Sequence, residues 1–283
     1  MYTKIIKGES RMENQENTQP STNQERDIMD GGFAVVDREK LIEEETRYIT
    51  PWYKNFINVF FAPRKMMEDC FYEEPPKGMG IAIAGSVLFM LLYLILSMLN
   101  PATKEMLYNT LRMQGIAEDM ISQTYIVSQI GGIVAGVIGV FISGLITAVL
   151  LKLLTLITKD KAKFSVLYTV SLLSIMVSSA LLFIDRIIGN LIPTQNIVMG
   201  ATVFLAADAL TTNPVLYTIA SVFTIPSLYA IVILIIGYAV AAGASIKKSA
   251  IAIIIMQVIT TAASVALISA AMSLQSGMMN AAM

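Results

Sequence analysis

Long apolar runs, separated by short stretches with charges, prolines or amides, dominate the chain from residue 80 onward. A helix needs about 20 apolar residues to cross the hydrocarbon core of a bilayer. Five runs reach that length. The predicted spans are residues 80–99, 130–156, 164–188, 217–240 and 249–272. We therefore predict an all-α integral membrane protein whose five transmembrane helices occupy residues 79–283.

Residues 49–78 precede the first span and have a shorter, amphipathic pattern. Trp52, Phe56 and Phe60 recur at helical spacing, so they lie on one face of a predicted helix. Pro63 stands where a second short helix begins, a position that suits proline. We expect this pair of helices to be interfacial, with these four residues at the membrane surface. The alternative is that the aromatic side chains pack onto the spans as ordinary core.

Residues 1–48 are polar and acidic, and Phe33–Val36 is their only apolar cluster. So short a cluster buries too little surface to offset the entropy lost when a chain becomes ordered. A signal peptide is not expected, because no apolar run of the required length follows the N-terminus. We predict a disordered cytoplasmic tail.

Composition supports the membrane assignment and excludes several kinds of chemistry. Charged residues make up 14% of the chain, against about 25% in a soluble domain, and the mean hydropathy is +0.65. The chain has no histidine and one cysteine, Cys70. Histidine-based zinc sites, Ser-His-Asp or Cys-His catalysis and an intrachain disulfide are therefore excluded. We expect no enzymatic activity and no cofactor, and the net charge of −1 gives no reason to expect nucleic acid.

The basic residues between the spans predict the orientation in the membrane. The second-to-third and fourth-to-fifth connections carry Lys152, Lys159, Lys161, Lys163, Lys247 and Lys248. The opposite connections carry only Lys104, Arg112 and Arg186. By the positive-inside rule the lysine-rich side is cytoplasmic. The N-terminus is therefore expected in the cytoplasm and the C-terminus outside.

Small residues in the second span predict close helix packing. Gly132 and Gly136 form a GxxxG pair, and Gly139 and Ser143 add further small residues four apart. Small side chains let helix backbones approach closely, and such packing drives association within lipid. We therefore expect this span at the centre of the bundle. The alternative is that its glycines line a pore or form a hinge.

Few polar side chains occur within the spans. Gln257, in the middle of the fifth span, is expected to form an interhelical hydrogen bond. Asp185 and Arg186 lie at the outer end of the third span, where a structural anchor is favoured over a proton relay. These three residues form the candidate polar membrane site. Pro226 is expected to kink the fourth span.

The two outer connections are longer than a turn requires. Ala102–Gln129 is predicted to form one or two helices before the second span. Ile197–Ala206 is apolar but too short to cross a bilayer. It is expected to form an interfacial or re-entrant helix.

Four stretches resemble the Yip (Ypt/Rab-interacting protein) domain family, and its bacterial branch in particular. They are Phe56–Met67, Leu111–Gln129, Lys161–Tyr168 and Ser221–Ala250. The first resembles the family's aromatic residues and proline before the first span, and the second its amphipathic outer segment. The third resembles the family's inner turn before the third span, and the fourth its fourth span with the lysine-containing turn that follows. The resemblance covers about residues 50–272.

The resemblance implies a five-span fold with a cytoplasmic N-terminus in a bacterial inner membrane. Eukaryotic relatives bind Rab-type GTPases and shape or sort vesicle membranes, whereas the bacterial members have no agreed function. Bacterial members often carry an aspartate and a tryptophan near the start of the fourth span, where this sequence has Val222–Pro226. The resemblance implies the fold and topology, and GTPase binding is not supported by this sequence alone.

Two functions agree with these features. The first is a non-enzymatic scaffold whose partners are the lipid bilayer and other membrane proteins, or further copies of itself. The alternative is a permease-like protein that moves a small or lipidic solute. A permease requires a polar cavity near the midplane, which we would expect to touch Gln257, Ser143 and Thr147.

Overall fold

The computed structural model describes residues 51–71, 76–191, 197–206 and 209–281, and the predicted tail of residues 1–48 lies outside them. The regular elements of the described residues are helices. In chain order they are α1 (Trp52–Phe61), α2 (Pro63–Cys70), α3 (Gly78–Leu99), α4 (Pro101–Met113), α5 (Glu118–Thr158), α6 (Phe164–Gly189), a 3-10 helix (Ala201–Phe204), α7 (Ala209–Thr212), α8 (Pro214–Val222), α9 (Ile225–Ala242) and α10 (Ile246–Ala281).

Five of these helices are long and apolar enough to cross a membrane. They are α3, α5, α6, α9 and the part of α10 from Ile246 to Ser273. The predicted number of spans is confirmed, and the protein is a multi-pass, all-α integral membrane protein.

The third span, α6, lies at the centre of the bundle. In its most apolar stretch 61% of the residues are buried, against 17% in α3, α5 and α10 and 33% in α9. Helices α3, α5 and α9 all pack against α6. The expectation that the second span is central is therefore wrong. Helix α5 buries one stripe of side chains and exposes the others.

Glycines on the neighbouring spans allow them to approach α6 closely. A Cβ atom on Gly85 of α3 would lie 2.1 Å from the sulfur of Met176, and one on Gly237 of α9 would lie 2.4 Å from Val170. On α5, a Cβ atom on Gly144 would lie 2.9 Å from a leucine methyl group of α6. Such distances leave no room for a side chain. Small residues thus bring three helices onto α6, the kind of contact that holds helices together within lipid.

Three hydroxyl groups buried in and around α6 donate to backbone carbonyls. Thr169 and Ser171 each donate to the carbonyl four residues earlier, at 2.9 Å. Ser86 of α3 donates across the interface to the Leu172 carbonyl at 2.8 Å. Polar groups in a membrane must be satisfied internally, because the hydrocarbon offers no hydrogen bonds. The centre of the bundle can therefore contain hydroxyl groups without water.

Helix α5 is much longer than a membrane span. Its 41 residues extend about 61 Å at 1.5 Å per residue, roughly twice the hydrocarbon thickness of about 30 Å. The outer segment Ala102–Gln129 does contain parts of two helices, as predicted, but the second helix is continuous with the second span. Its first helix ends at Met113, but the residues from Glu118 onward continue into the second span as one helix.

The fourth span begins at Ile225 instead of continuing through Pro226 with a kink. Proline has no N–H to donate and its ring clashes with the preceding turn, so it suits the first turn of a helix and not the interior. The Thr224 side chain caps the new helix by accepting a hydrogen bond from the Ser227 N–H. Pro226 therefore separates α8 from α9.

The expected interfacial or re-entrant helix at Ile197–Ala206 is also corrected. Only Ala201–Phe204 is helical, as a short 3-10 helix. Gly200 pairs with Thr224 in an isolated antiparallel bridge, and a Cβ atom on Gly200 would lie 2.4 Å from the Thr224 Cα atom. This close backbone contact holds the segment extended, against the break between α8 and α9.

The two short helices before the first span form as predicted, and they are docked on the bundle. Met66, Met67 and Cys70 of α2 are buried in the main core cluster. Helix α2 packs against α9, and the Tyr229 hydroxyl of α9 donates to the carbonyl of Phe60. One face of the pair therefore belongs to the core of the bundle.

Candidate functional site

The four predicted membrane-interface residues have different environments. The rings of Phe56 and Phe60 pack against Phe89 of α3, with centroids 6.1 and 6.2 Å apart. Pro63 begins α2 and is partly buried. Trp52 is 73% exposed. The two phenylalanines thus act as core, the alternative considered above, whereas Trp52 is largely exposed.

Of the four small residues predicted to pack against other helices, one does so among the described residues. A Cβ atom on Gly136 would lie 2.6 Å from Leu94 of α3, so Gly136 does pack against a neighbour. Gly132 and Gly139 have nothing within 4 Å of a Cβ position, and Ser143 is exposed. The small-residue face of α5, defined as Gly132, Gly139 and Ser143, therefore lies on the outside of the bundle.

Asp185 and Arg186 form a buried anchor where α6 ends. The Asp185 Oδ1 atom accepts a hydrogen bond of 2.6 Å from the Met199 N–H. The Arg186 guanidinium lies 5.7 Å from the ring centroid of Tyr93 on α3, within cation–π range. Asp185 thus holds the segment before the 3-10 helix, and Arg186 contacts the first span. This geometry agrees with the predicted structural anchor.

Gln257 lines an apolar groove of about 360 Å³ between α8 and α10, beside Val222 and Phe223. Among the described residues its amide forms no interhelical hydrogen bond, contrary to expectation. Ser143 and Thr147 lie on α5 and do not line this groove. The described part of the chain therefore does not join these three residues in one polar cavity.

A polar cluster, which the sequence interpretation missed, connects the second-to-third turn with the last two spans. Lys248 Nζ donates to Asp160 Oδ1 at 2.6 Å and to the Thr158 carbonyl at 3.1 Å. The Tyr238 hydroxyl lies 2.8 Å from Thr158 Oγ1 and donates to Asp160 Oδ2 at 3.3 Å. The hydrogen bonds from Lys248 and Thr158 hold the pKa of Asp160 below its usual value. We call this end of the bundle the lysine end.

An asparagine pair closes the opposite end. Asn100 is buried, and its amide donates to Asn190 Oδ1 at 2.8 Å. Asn190 in turn donates to the Leu96 carbonyl at 3.2 Å. Asn100 also caps α4 by accepting from the Thr103 N–H. An asparagine before a proline-led helix is a recognisable cap signal, but its contact across 90 residues could not be derived from local sequence.

Two further apolar grooves open sideways from the bundle. One, of about 420 Å³, lies between α5 and α10 and reaches Thr158 and Lys248 at the lysine end. The other, of about 600 Å³, lies between α1 and α3, with Trp52 and Phe56 in its wall. In a membrane these grooves face lipid. The described surface of the bundle is therefore grooved in the directions from which lipids and other spans approach.

The described side chains provide few reactive groups. Within residues 51–71, 76–191, 197–206 and 209–281, no group of three His, Cys, Asp or Glu residues lies close enough to hold a metal ion. Burial raises the pKa of the Cys70 thiol to about 11. A thiol with that pKa is protonated at neutral pH and is a poor nucleophile. The side chains described above supply packing surfaces and hydrogen-bonded anchors.

Comparison with protein-family models, with curated proteins and with solved structures gives no match. The resemblance to the Yip family stays a prediction from the sequence. The functional interpretation consequently depends on the residues and surfaces of this chain.

Asp185→Ala is expected to destabilise the fold by about 1–3 kcal/mol, because it removes the side-chain acceptor of the Met199 N–H. Asp185→Asn keeps an oxygen in place and should cost less. The measurement is the unfolding free energy of the full-length protein in mixed micelles, titrated with denaturing detergent. Glu105→Ala, on the exposed face of α4, is the control. An Asp185→Ala variant as stable as the control would contradict the anchor role.

Proposed function

We propose that the protein is a non-enzymatic scaffold of the membrane, which organises lipids or partner membrane proteins through the sides of its helical bundle. The observation that carries this proposal is the small-residue face of α5. Gly132 and Gly139 lie on the outside of the bundle with nothing within 4 Å of a Cβ position. Small residues within lipid allow close helix contact. None of the described helices packs on this face, which is therefore suited to a helix of another molecule.

The buried polar groups support the same proposal. Asp185 is bonded to a backbone N–H, Asn100 to Asn190, and Ser86 to a backbone carbonyl. Each of these contacts joins one structural element to another. A scaffold needs such fixed joints, whereas a transporter needs polar groups that a solute can reach.

The permease alternative has weaker support. It needs a polar cavity that joins Gln257 with Ser143 and Thr147. Gln257 lines an apolar groove beside α8, and Ser143 lies exposed on α5. We therefore place solute transport second.

We further propose the Yip-type topology in a bacterial inner membrane, with the lysine end in the cytoplasm. The order of elements, a proline-separated helix pair followed by five spans, is the order that the resemblance implies. The lysine end carries Lys159, Lys161, Lys247 and Lys248, as the positive-inside rule requires of the cytoplasmic side. GTPase binding is not part of the proposal.

The proposed role of the small-residue face of α5 can be tested by measuring self-association of the protein. Replacing both Gly132 and Gly139 by Ile should weaken association of the full-length protein in liposomes about tenfold, equivalent to roughly 1.4 kcal/mol. The Cβ positions of both glycines are clear of the other described residues, so the fold should be retained. The measurement is energy transfer between donor- and acceptor-labelled copies as the lipid-to-protein ratio is varied.

Gly131→Ile is the matched control for this experiment. Gly131 also has nothing within 4 Å of its Cβ position, but it lies about 100° around the helix from Gly132. It should leave association unchanged. If the double variant associates as strongly as the unaltered protein, self-association through this face is wrong.

Cysteine labelling tests the orientation. In a Cys70→Ser background, Gln114→Cys should react with a membrane-impermeant maleimide in right-side-out membrane vesicles. Lys161→Cys should react only after the vesicles are opened. Both positions are exposed and lie at opposite ends of the bundle. The reverse pattern would place the lysine end outside and reject the proposed topology.

A further inference from the structure

The groove between α5 and α10 has the shape of a site for a single hydrocarbon chain. Its walls are aliphatic, with Leu153 and Ile157 on one side and Ile251, Ile255 and Ile259 on the other. Its volume of about 420 Å³ falls in the range of about 300–1,000 Å³ that holds small ligands. Met256, which lines the groove, belongs with Leu234 and Tyr238 of α9 to one buried core cluster.

The length of the groove matches one leaflet of the bilayer. Its wall on α10 runs from Lys248 to Thr260, about 18 Å at 1.5 Å per residue. Half of a hydrocarbon core of about 30 Å is about 15 Å. An acyl chain entering at the lysine end can therefore lie in the groove along its whole depth, with its headgroup beside Lys248.

The mouth of the groove is strongly basic. The turn at residues 159–163 and the first residues of α10 carry five lysines and one acidic residue, Asp160. Lys159, Lys161 and Lys247 are exposed there. The two other apolar grooves have no basic residue in their walls. Basic clusters at the membrane end of helices attract anionic lipid headgroups.

Lys248 is held in place to receive such a headgroup. Its ammonium group has three N–H donors. In the described part of the chain, one bonds to Asp160 Oδ1 and one to the Thr158 carbonyl. The third donor is available to a phosphate oxygen at the mouth. The Asp160 carboxylate therefore positions the lysine, and Lys159, Lys161 and Lys247 supply the surplus positive charge.

We propose that this groove is a specific binding site for an anionic phospholipid from the leaflet at the lysine end. One acyl chain lies between α5 and α10, and the phosphate meets Lys248 and Lys247. A helix of a second copy would also fit the apolar walls, but the lysines of its own lysine end would repel those at the mouth. The site goes beyond the scaffold proposal and requires neither self-association nor a protein partner.

Native mass spectrometry of the full-length protein in mild detergent tests the site. The probes are dioleoylphosphatidylglycerol and dioleoylphosphatidylcholine, which share acyl chains and differ in headgroup charge. We expect one tight phosphatidylglycerol site that phosphatidylcholine fills less well. Lys247→Met with Lys248→Met should weaken phosphatidylglycerol binding about 30-fold, from about fivefold for each lysine near the surface. Lys247→Met alone, which leaves the Asp160–Lys248 contact intact, should weaken it about fivefold.

Two isoleucines on α10 give a matched pair for the groove. Ile255 and Ile254 are 51% and 53% exposed, but only Ile255 lines the groove. Ile255→Trp should abolish the tight site, and Ile254→Trp should leave it unchanged. Equal binding by both tryptophan variants, or an unchanged headgroup preference in Lys247→Met and the double lysine variant, would overturn the proposal. So would an Ile255→Trp variant that alters the oligomeric state while it retains the lipid, because the occupant would then be a second copy.

Discussion

The close approach of three helices to α6 is the constraint on which the remaining structure depends. Gly85, Gly144 and Gly237 each leave a gap that a side chain of α6 fills. Lipid tails are as apolar as leucine, so burying apolar surface gives the helices no reason to associate. Close packing and internal hydrogen bonds must hold the bundle together instead. The position of these three glycines therefore determines which span is enclosed and which faces remain in lipid.

Both ends of the bundle are fixed by polar contacts between distant parts of the chain. At one end Asn100 and Asn190 join the first and third spans, and at the other Lys248 and Asp160 join the fifth span to the turn before the third. Between these joints the sides of α5 and α10 are apolar, exposed and grooved. A rigid bundle with open lateral surfaces supports both proposals, since copies and lipids approach within the plane of the membrane.

The features that depend only on neighbouring residues were predicted correctly from the sequence. The five spans follow from length and apolarity, and the helix pair follows from aromatic spacing and Pro63. The central span did not follow, because a small-residue pattern marks a face without saying which other helix meets it. Gly132, Gly139 and Gly144 are all glycines of α5, yet of these three only Gly144 faces α6. The Lys248–Asp160 and Asn100–Asn190 contacts were missed for the same reason, because local sequence does not say which distant side chains meet.

The predicted start of the second span and the predicted kink at Pro226 were wrong for a different reason. The start of the second span was placed where the polar residues end, but a helix continues past the membrane boundary when its residues favour it, as α5 does from Glu118. The fourth span was expected to bend at Pro226. Capping by Thr224 and the backbone contact of Gly200 stabilise a full break there. Gly200 and Thr224 are distant in the chain, so their contact could not be predicted from local sequence.

Oxygen accessibility of spin labels, measured along two spans in liposomes, tests the central position of α6 most directly. Single cysteines would be placed through residues 137–148 of α5 and 168–179 of α6 in a Cys70→Ser background. If α6 is central, accessibility in α5 should follow a helical period with minima at Val140, Gly144 and Ala148. It should be lower on average through α6, where Tyr168, Ile175 and Ser178 are only partly exposed. A higher mean accessibility in α6 than in α5 would contradict the central position of α6.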